Sequence, residues 1–583
     1  MFNKYFQDEL AYLREQGREF AQAYPTLAPL LADRGVDPDV ERLLEGVAFL
    51  TGRIRQKLDD EMPEFLQSVG LLLFPHLMRP LPSASILAIT PMPNAMRETQ
   101  VVKAGTEFGS VPVDGTPCTF RSTTDCRLSP LAVEEARIDV HPGGRQTIAI
   151  TLRTLNGKPL ALALPDTLRL HFTGDSGVVS ALLFRVLQRL GDVSLSPAGR
   201  VGRELSLGAG SVQWVGFDDA EGLLPLGRHV FPGYRLLEEY YVLPAKFAFV
   251  DVQNVRRFGE LDRESPRGTL NFRLSAPMPH GSRVTADNVR LNCVPIINVF
   301  ETTAEPIRLS AARDRFVVRA AGLPVSHGEV YAIQNVTAIL RGSGARVTIP
   351  PFFEFSHAAS SPHGFYTTHL SPSVTREGAD MLISFGSPEG SGRILDAETI
   401  SIELLATNRA VAGAVRPGDV SVHTASSPAF ANFSNISAMT PHVPPPLGKD
   451  LQWRAIAHSA IGLRSLTEVP VLRAVVDVYN LHAMVDQQAA RANELRVNAI
   501  KDVRLRGVER LYRGAAIRGV GVDVDFDEDG FGGEGDMLVF AGILERIFAE
   551  HVSINSFAEC TFRTLRSKIE MKWPPRSGNT TIL

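Results

Sequence analysis

Aspartates near the C-terminus have the spacing of a calcium-binding loop. The motif comprises Asp525, Asp527, Asp529, Gly530 at the sixth place and Asp536 at the twelfth. In an EF-hand, oxygens at such places surround Ca²⁺ and the glycine permits a sharp turn. However, the preceding residues alternate like a strand, Gly532 takes a place that is usually apolar, and the last ligand is not the usual glutamate. We therefore predict a charged strand-to-helix loop in which Asp536 caps the helix, with a calcium site at residues 525–536 as an alternative.

The segment Gly174-Asp175-Ser176-Gly177 places a serine between a predicted strand and a predicted helix, as in the nucleophile elbow of hydrolases. An elbow needs glycine two residues after the serine so that the turn can close, and this chain has Val178 there. Asp175 or Ser176 is better suited to cap the helix, because short polar side chains accept hydrogen bonds from its free amides. A hydrolase that uses Ser176 stays an alternative, and we predict no catalytic residue.

Other residues that could bind a metal or react are isolated. His357, His363 and His369 recur every six residues in a segment rich in Ser, Pro and Gly, a spacing that suits one metal site on neither a helix nor a strand. Cys293 has no neighbouring cation to lower its pKa, so we interpret residues 292–298 as a β-edge or turn whose Asn side chains bind backbone groups. We interpret His76, among apolar residues, as a structural histidine. No metal or cofactor is predicted.

Composition indicates a globular protein in a reducing compartment. The 583 residues are 44% hydrophobic and 21% charged, and the net charge is −4, without the Lys/Arg block that indicates a nucleic-acid partner. The N-terminus carries acidic residues where a signal peptide needs an apolar run, and no uncharged run approaches the roughly 18 residues of a membrane span. The cysteines are scattered without a CxxC pair. We expect a cytoplasmic protein.

Two amphipathic helices are predicted at the N-terminus. The first spans residues 2–24, and the second begins at Asp37-Pro38, where aspartate can cap and proline fits the first turn. Apolar residues recur every three or four positions along both, which is the spacing of one helical face. The candidate partner interface consists of Leu10, Leu13, Val40, Leu43, Leu44, Val47, Leu50, Ile54 and Leu58. Met62-Pro63 is expected to end the second helix and to open another through Leu73.

The rest of the chain is predicted to be mainly β up to a proline-rich linker, and mixed after it. Short β-type runs are interrupted by one helix at 178–190. Residues 430–448, which end in TPHVPPPLG, indicate a linker with polyproline character. After the linker we predict helices near 453–466, 471–482 and 537–552, with strands within 503–526. The predicted fold class is α+β, with an N-terminal helical region at 1–82, a β-rich middle of two subdomains at 83–445, and a C-terminal α/β domain at 446–583.

Several segments together resemble one known family. The stretch from Asp37 contains DPDVERLLEGVAFLTGRIRQKLDDE and is followed by PHLMRPLPS. Later segments are VGFDDAEGLLPL, LNCVPIINVFE and ELLATNRAV, and the last are SINSFAE and EMKWPPRSG. In this order they resemble, from end to end, the TssF family of bacterial type VI secretion baseplate subunits, relatives of contractile-phage wedge proteins. None of these segments is a catalytic signature.

The resemblance implies a structural protein without catalytic activity. In that family two copies of TssF join one TssG-like subunit in a wedge, and six wedges surround the spike protein VgrG and help to initiate the contractile sheath. TssK links the wedge to the membrane complex, so contact with the inner membrane is indirect. Helix-to-helix packing of the apolar stripes is the expected mechanism of assembly. Besides the two alternatives above, a stand-alone peptide- or carbohydrate-binding protein stays open.

Overall fold

The computed structural model describes most of the chain. It covers residues 2–23, 38–93, 95–96, 98–198, 203–225, 231–310, 313–352, 364–373, 378–386, 397–447, 449–458, 461–512 and 514–578. Its α-helices, in chain order, are α1 (Phe2–Ala23), α2 (Pro38–Leu73), α3 (Leu160–Ala163), α4 (Ser176–Gln188), α5 (Pro232–Val242), α6 (Ala410–Gly413), α7 (Lys449–His458), α8 (Leu463–Leu466), α9 (Val469–Val478), α10 (Gln487–Asn498) and α11 (Glu534–Glu550). Short 3-10 helices lie at Ala209–Ser211, Asp219–Glu221, Pro244–Phe247, Val255–Glu260, Ala286–Asn288, Leu481–Met484 and Glu528–Gly530.

The strands follow α2, and runs of consecutive strands are separated by the later helices. The first are β1 (Ala84–Pro91), β2 (Gln100–Val102), β3 (Glu107–Gly109), β4 (Thr119–Ser122), β5 (Cys126–Leu128), β6 (Leu131–Val140), β7 (Gln146–Thr154), β8 (Thr167–Phe172), β9 (Leu190–Pro197), β10 (Leu205–Ser206), β11 (Val212–Trp214), β12 (Phe249–Gln253), β13 (Arg267–Leu274) and β14 (Val289–Arg290). There follow β15 (Cys293–Ile297), β16 (Phe300–Thr303), β17 (Ile307–Arg308), β18 (Phe316–Val318), β19 (Glu329–Leu340), β20 (Arg346–Thr348), β21 (Phe365–Pro372), β22 (Ala379–Gly386), β23 (Ala397–Thr407) and β24 (Ala431–Asn435). The last are β25 (Ile500–Tyr512), β26 (Ala515–Phe526), β27 (Phe557–Thr564), β28 (Glu570–Lys572) and β29 (Arg576–Ser577).

Within the described residues these strands form seven sheets. Their orders are β24-β1-β15-β4-β3, β10-β9-β13-β7-β6, β11-β12-β8-β14, β16-β23-β19-β20 with β17 on β23, β18-β22-β21, β2-β5, and β25-β26-β27-β28 with β29 on β27. The ladder between β26 and β27 is parallel, and the other named ladders are antiparallel. The predicted α+β class is thus confirmed.

The second N-terminal helix is longer than predicted. α2 continues without a break from Pro38 to Leu73, so the expected stop at Met62-Pro63 is wrong. Proline removes one helical hydrogen bond at a cost of about 3 kcal/mol. The helix can bear that cost because it is held on both sides of the proline: its N-terminal half packs on α1, and Gln67 exchanges two hydrogen bonds of 3.0 and 3.1 Å with the backbone of Leu370 in β21.

The predicted linker at 430–448 contains a strand. β24 pairs with β1 in the first sheet, where Leu87 lies opposite Asn435 and Pro91 opposite Ala431. Burial alternates along β24, with Ala431, Phe433 and Asn435 inside. The alternation of buried and exposed side chains, which is typical of a strand, is therefore a better guide to this segment than the Ser- and Asn-rich composition on which the linker prediction rested.

The largest hydrophobic core is centred on α5 and α11. Every residue of α5 after Pro232 is buried, although the helix carries Arg235 and two glutamates. The N–H of Gly233 donates to Glu550 of α11 at 2.6 Å, and a Cβ on Gly233 would lie 2.9 Å from Ile547, so the helices touch through their backbones. The same core includes residues from Phe74 to Met571. The division of the chain into three domains stays a prediction.

The start of α11 is fixed by a serine from a distant part of the chain. Ser180 Oγ of α4 accepts the N–H groups of Gly535 at 2.8 Å and Asp536 at 3.3 Å, which satisfies amides that a helix start leaves free. A Cβ on Gly535 would lie 2.3 Å from the Ser180 carbonyl oxygen. Only glycine fits this crossing.

We expect Gly535→Ala to lower the free energy of unfolding by about 1–3 kcal/mol, because backbone atoms must move apart. Thermal unfolding of the full chain measures this. Gly46→Ala is the matched control, since a Cβ on this helical glycine meets nothing within 4 Å and should leave stability unchanged or raise it by up to about 1 kcal/mol. Equal melting temperatures for the two variants would contradict the close backbone contact described at Gly535.

Glu238 of α5 is fully buried, and neither carboxyl oxygen has a hydrogen-bond partner within the described residues. Burial raises its pKa to about 8, the negative charge of Glu239 adds to the rise, and the charge of Arg79 opposes it. The folded pKa lies above that of the unfolded chain. The stabilisation due to this group is therefore complete below about pH 4.5 and is lost as the pH rises through about 8.

Glu238→Gln should therefore melt at a higher temperature than the wild type at pH 9 and at nearly the same temperature at pH 5. The difference at pH 9 corresponds to at most about 5 kcal/mol. Scanning calorimetry at both pH values measures it, and Glu264→Gln, which makes the same change at an exposed glutamate, serves as the control. A Glu238→Gln melting curve that follows the wild type at both pH values would show that the pKa of this carboxyl group is not raised in the folded protein.

Candidate partner-binding surface

The N-terminal helices α1 and α2 form an antiparallel hairpin. Arg14 is ion-paired with Glu41, and Arg55 Nη1 lies 2.7 Å from Glu9 Oε1, so the start of one helix lies beside the later part of the other. At Gly52 the backbones approach closely, because a Cβ there would lie 3.3 Å from backbone atoms of Tyr5 and Phe6. The hairpin is thus held by salt bridges at its sides and by a close backbone contact at its centre.

One side of α2 is covered by α1. Ala48 is fully buried, Gly52 is buried, and Leu10 of α1 is 5% exposed. Leu13 and Leu44 are half-buried. Leu10, Leu13 and Leu44 of the predicted interface therefore contribute to packing between the two helices of the same chain. The pair Ala48 and Gly52, two small residues about one turn apart, is the sequence signal for this close approach.

Another side of α2 carries apolar residues that no other described part of the chain covers. Leu43, Val47, Leu50 and Ile54 are 69, 45, 64 and 60% exposed. With a turn of about 100° per residue, the four lie within about 60° of the helix circumference. The centre of this group is about 150° from the midpoint between Ala48 and Gly52. We call these four residues the α2 stripe.

The predicted interface set is therefore divided by the structure. Of its nine residues, the four of the α2 stripe are exposed together, whereas Leu10, Leu13 and Leu44 contribute to the contact between α1 and α2. The side chains of Val40 and Leu58 lie outside the described residues. Four exposed apolar side chains in a row are unusual on a free surface and typical of a surface that binds another protein.

The hairpin is joined to the rest of the protein at the C-terminal end of α2. Phe74, Leu77 and Met78 after the helix are buried in the largest core. His76 is also buried and stacks on Tyr479 with ring centroids 5.9 Å apart, in keeping with the structural role predicted for it. The guanidinium group of Arg79 lies over the ring of Tyr331 at 5.4 Å. The position of the stripe is thus set by the body of the protein.

The acidic motif at residues 525–536 extends from the end of β26 into the first turn of α11, but its carboxylates bind separate partners. Asp525 pairs with Arg504 at 2.7 Å, Asp527 with Lys501 at 3.4 Å, Asp529 with Arg566 at 2.6 Å, and Asp536 with Arg496 at 2.9 Å. Across the described part of the chain, no three His, Cys, Asp or Glu side chains form a group that could hold a metal ion.

Asp536 does not cap α11, so the capping role predicted for it is wrong. The cap position of α11 is Gly533, and Asp536 lies within the first turn. Its carboxylate accepts the N–H of Gly532 at 2.9 Å and the hydroxyl of Tyr240 at 2.5 Å. The amides that a cap would bind donate to Ser180 instead. This long-range contact could not be inferred from local spacing.

At the serine motif, the carboxylate of Asp175 accepts the N–H groups of Gly177 at 2.9 Å and Val178 at 3.3 Å, which confirms the predicted helix cap. Ser176 is the first residue of α4. The turn therefore has the geometry of an ordinary helix start.

The segment around Cys293 is central in its sheet, so the predicted β-edge is wrong. β15 lies between β1 and β4, and Pro295 lies opposite Ile86. The predicted role of the asparagines is confirmed: Asn292 exchanges two hydrogen bonds of 3.0 Å with the backbone of Ser129. Burial raises the pKa of the Cys293 thiol well above its usual range. His369 lies in β21, and His357 and His363 lie outside the described residues.

Comparison with known proteins gives one consistent result. The family model described as "Type VI secretion system, TssF" matches residues 1–580. The "Type VI secretion system component TssF1" of Pseudomonas aeruginosa is 28% identical over 99% of this chain and 98% of its own length. No helix of the described residues is long and apolar enough to cross a membrane.

Two solved structures have the same fold. A chain of the TssK-TssF-TssG baseplate subcomplex of a type VI secretion system, determined by cryo-electron microscopy, superposes with a TM-score of 0.77 at 29% identity, over 93% of this chain and 99% of that one. A chain of "the baseplate complex from the type VI secretion system" superposes with a TM-score of 0.64 at 28% identity over the full length of both chains. This chain therefore belongs to the TssF family, and it is a baseplate subunit of the type VI secretion system.

Proposed function

We propose that this protein is a structural wedge subunit without catalytic activity, and that it joins a TssG-like subunit and a second copy of itself through the α2 stripe. The observation that carries the proposal is the exposure of Leu43, Val47, Leu50 and Ile54 on one side of a helix that is anchored to the body of the protein.

The spacing of the stripe suits packing against further helices. The four residues are separated by four, three and four positions, which is the pattern of the buried seam in a coiled coil. A partner helix that covers this seam removes the stripe from water, and each leucine or isoleucine contributes roughly 1.5–3 kcal/mol when fully buried. Contacts of this apolar kind are typical of permanent complexes.

Further partners are proposed from the relatives. The solved relative of higher similarity lies in a complex of TssK, TssF and TssG, and we propose that this chain enters the same kind of assembly with TssG-like and TssK-like subunits. In the complete machine the wedges would surround the VgrG spike, support the first layer of the sheath, and reach the inner membrane only through the membrane complex. On this view the protein acts in the cytoplasm, and it needs neither a cofactor nor nucleic acid.

Replacing Leu43, Leu50 and Ile54 together by Asp should abolish co-purification with a co-expressed TssG-like subunit. Three lost apolar contacts, with three carboxylates introduced into the interface, should weaken binding by more than about 100-fold. Folding should be preserved, because all three side chains are mostly exposed in the isolated chain. Pull-down yield and circular dichroism measure the two effects.

The matched control is Val140→Asp with Leu162→Asp, which changes apolar residues of similar exposure on β6 and α3, outside the hairpin. This variant should co-purify in normal yield. A triple stripe variant that folds and co-purifies in normal yield would show that the stripe does not bind the TssG-like subunit.

Native mass spectrometry of the complex from co-expression should give two copies of this chain for each TssG-like subunit. A complex of one to one, or a chain that stays a monomer beside the TssG-like subunit, would contradict the proposed wedge. The same measurement on the stripe variant separates loss of the second copy from loss of the TssG-like subunit.

A further inference from the structure

The last sheet ends in a long strand whose outer edge no other described strand covers. β25 stands first in the order β25-β26-β27-β28, and among the described strands it pairs only with β26. It has 13 residues, about twice the usual length of a strand. The carbonyl oxygen of its first residue, Ile500, accepts two hydrogen bonds from the guanidinium group of Arg473, at 2.5 and 3.1 Å. The outer N–H and C=O groups farther along face away from the sheet, as on any edge strand.

The hairpin of β25 and β26 also projects beyond the rest of the sheet. The ladder between β26 and β27 begins at Val520, so the hairpin is only two strands wide between residues 508 and 519. On one face of this hairpin Leu505 is 39% and Leu511 82% exposed. A strand added along β25 would cover part of both side chains.

The opposite face of β25 carries a row of arginines. Arg504, Arg506 and Arg510 are separated by even numbers of residues and therefore lie on the same face. Each pairs with a carboxylate on an inner strand: Arg504 with Asp525 at 2.7 Å, Arg506 with Asp523 at 3.1 Å, and Arg510 with Glu559 at 2.9 Å. The carboxylates are 13–19% exposed and the arginines 43–52%. The acids thus lie inside the sheet and the cations at its edge.

The inner neighbour β26 indicates what fits beside such a row. It reads Val522, Asp523, Val524, Asp525 and Phe526, with acidic residues facing the arginines and apolar residues facing the core. A second copy of β25 fits poorly. Antiparallel pairing about Gly507 would place Arg504 directly opposite Arg510 of the second copy, and like charges in that position are destabilising.

We propose that the outer edge of β25 binds an extended segment of a partner protein in which acidic and apolar residues alternate. The segment adds as a further strand: its backbone bonds to the open edge, its carboxylates meet Arg504, Arg506 and Arg510, and its apolar side chains cover Leu505 and Leu511. This site is independent of the α2 stripe, and its partner is a protein other than a second copy of this chain.

The test uses the full-length protein and a fluorescent peptide of four Val-Asp repeats in an anisotropy titration. This peptide should bind saturably. A peptide of four Val-Lys repeats should bind at least about tenfold more weakly, because three favourable charge pairs become three repulsive ones. The Val-Asp peptide with N-methyl groups on alternate residues should not bind, since it cannot complete the backbone hydrogen bonds.

The variant Arg504→Gln with Arg506→Gln and Arg510→Gln should lose at least about fivefold in affinity for the Val-Asp peptide. The matched control replaces Arg137, Arg257 and Arg290 by Gln, since these ion-paired arginines have similar exposure elsewhere. Control binding should equal that of the wild type, and thermal unfolding verifies that both variants are folded.

Four results would each overturn the proposal. These are absence of binding by the Val-Asp peptide, equal binding of the Val-Lys peptide, equal binding of the N-methylated peptide, and unchanged affinity in the β25 variant. In the first case the arginines serve only to protect the edge from unwanted pairing. Sedimentation that reveals a dimer lost in the β25 variant but kept in the α2 variant would make a second copy the occupant, which also contradicts the proposal.

Discussion

A single helix can cover only one side of its neighbour, and the architecture of the N-terminal hairpin depends on this limit. α2 has apolar residues in two directions about 150° apart. The small residues Ala48 and Gly52 favour the side that α1 occupies, because the two backbones can approach closely there. Leu43 and Leu50 are left on the other side as a consequence. Among the described residues the protein thus folds with an uncovered apolar surface, which links its sequence to its role in an assembly.

The hairpin is useful for assembly only if its position relative to the body is fixed. The α2 helix passes through Pro63 without ending, is hydrogen-bonded to β21 through Gln67, and leads directly into buried residues that begin at Phe74. That core continues through α5 and α11, whose backbones touch at Gly233. The hairpin and the centre of the molecule are therefore joined by one continuous set of packed residues.

Local periodicity predicted most of the single elements, including α1, the start of α2, α4 and the strands that alternate buried and exposed residues. It did not predict α5, since a helix with Arg235, Glu238 and Glu239 looks like a surface helix, and these residues are buried through partners far away in the sequence. Lys246, for example, pairs with Glu239 inside the core. It also treated all apolar residues of α2 as one stripe, because only the contact with the neighbouring helix α1 separates the covered residues from the exposed ones. The exposed half of the candidate site therefore required the tertiary structure.

The two proposed surfaces use different physics, and this difference implies an order of assembly. The α2 stripe is apolar and has no charge of its own to keep it soluble, so it favours early association, before the free chain can aggregate. The β25 edge carries arginines, which keep an uncovered strand from pairing with copies of itself. It can therefore stay open in a folded subunit until a suitable acidic strand arrives. Binding at the stripe should be insensitive to salt, whereas binding at the edge should weaken as salt screens the charges. The stripe is thus suited to the permanent core of the wedge, and the edge to a partner that joins later.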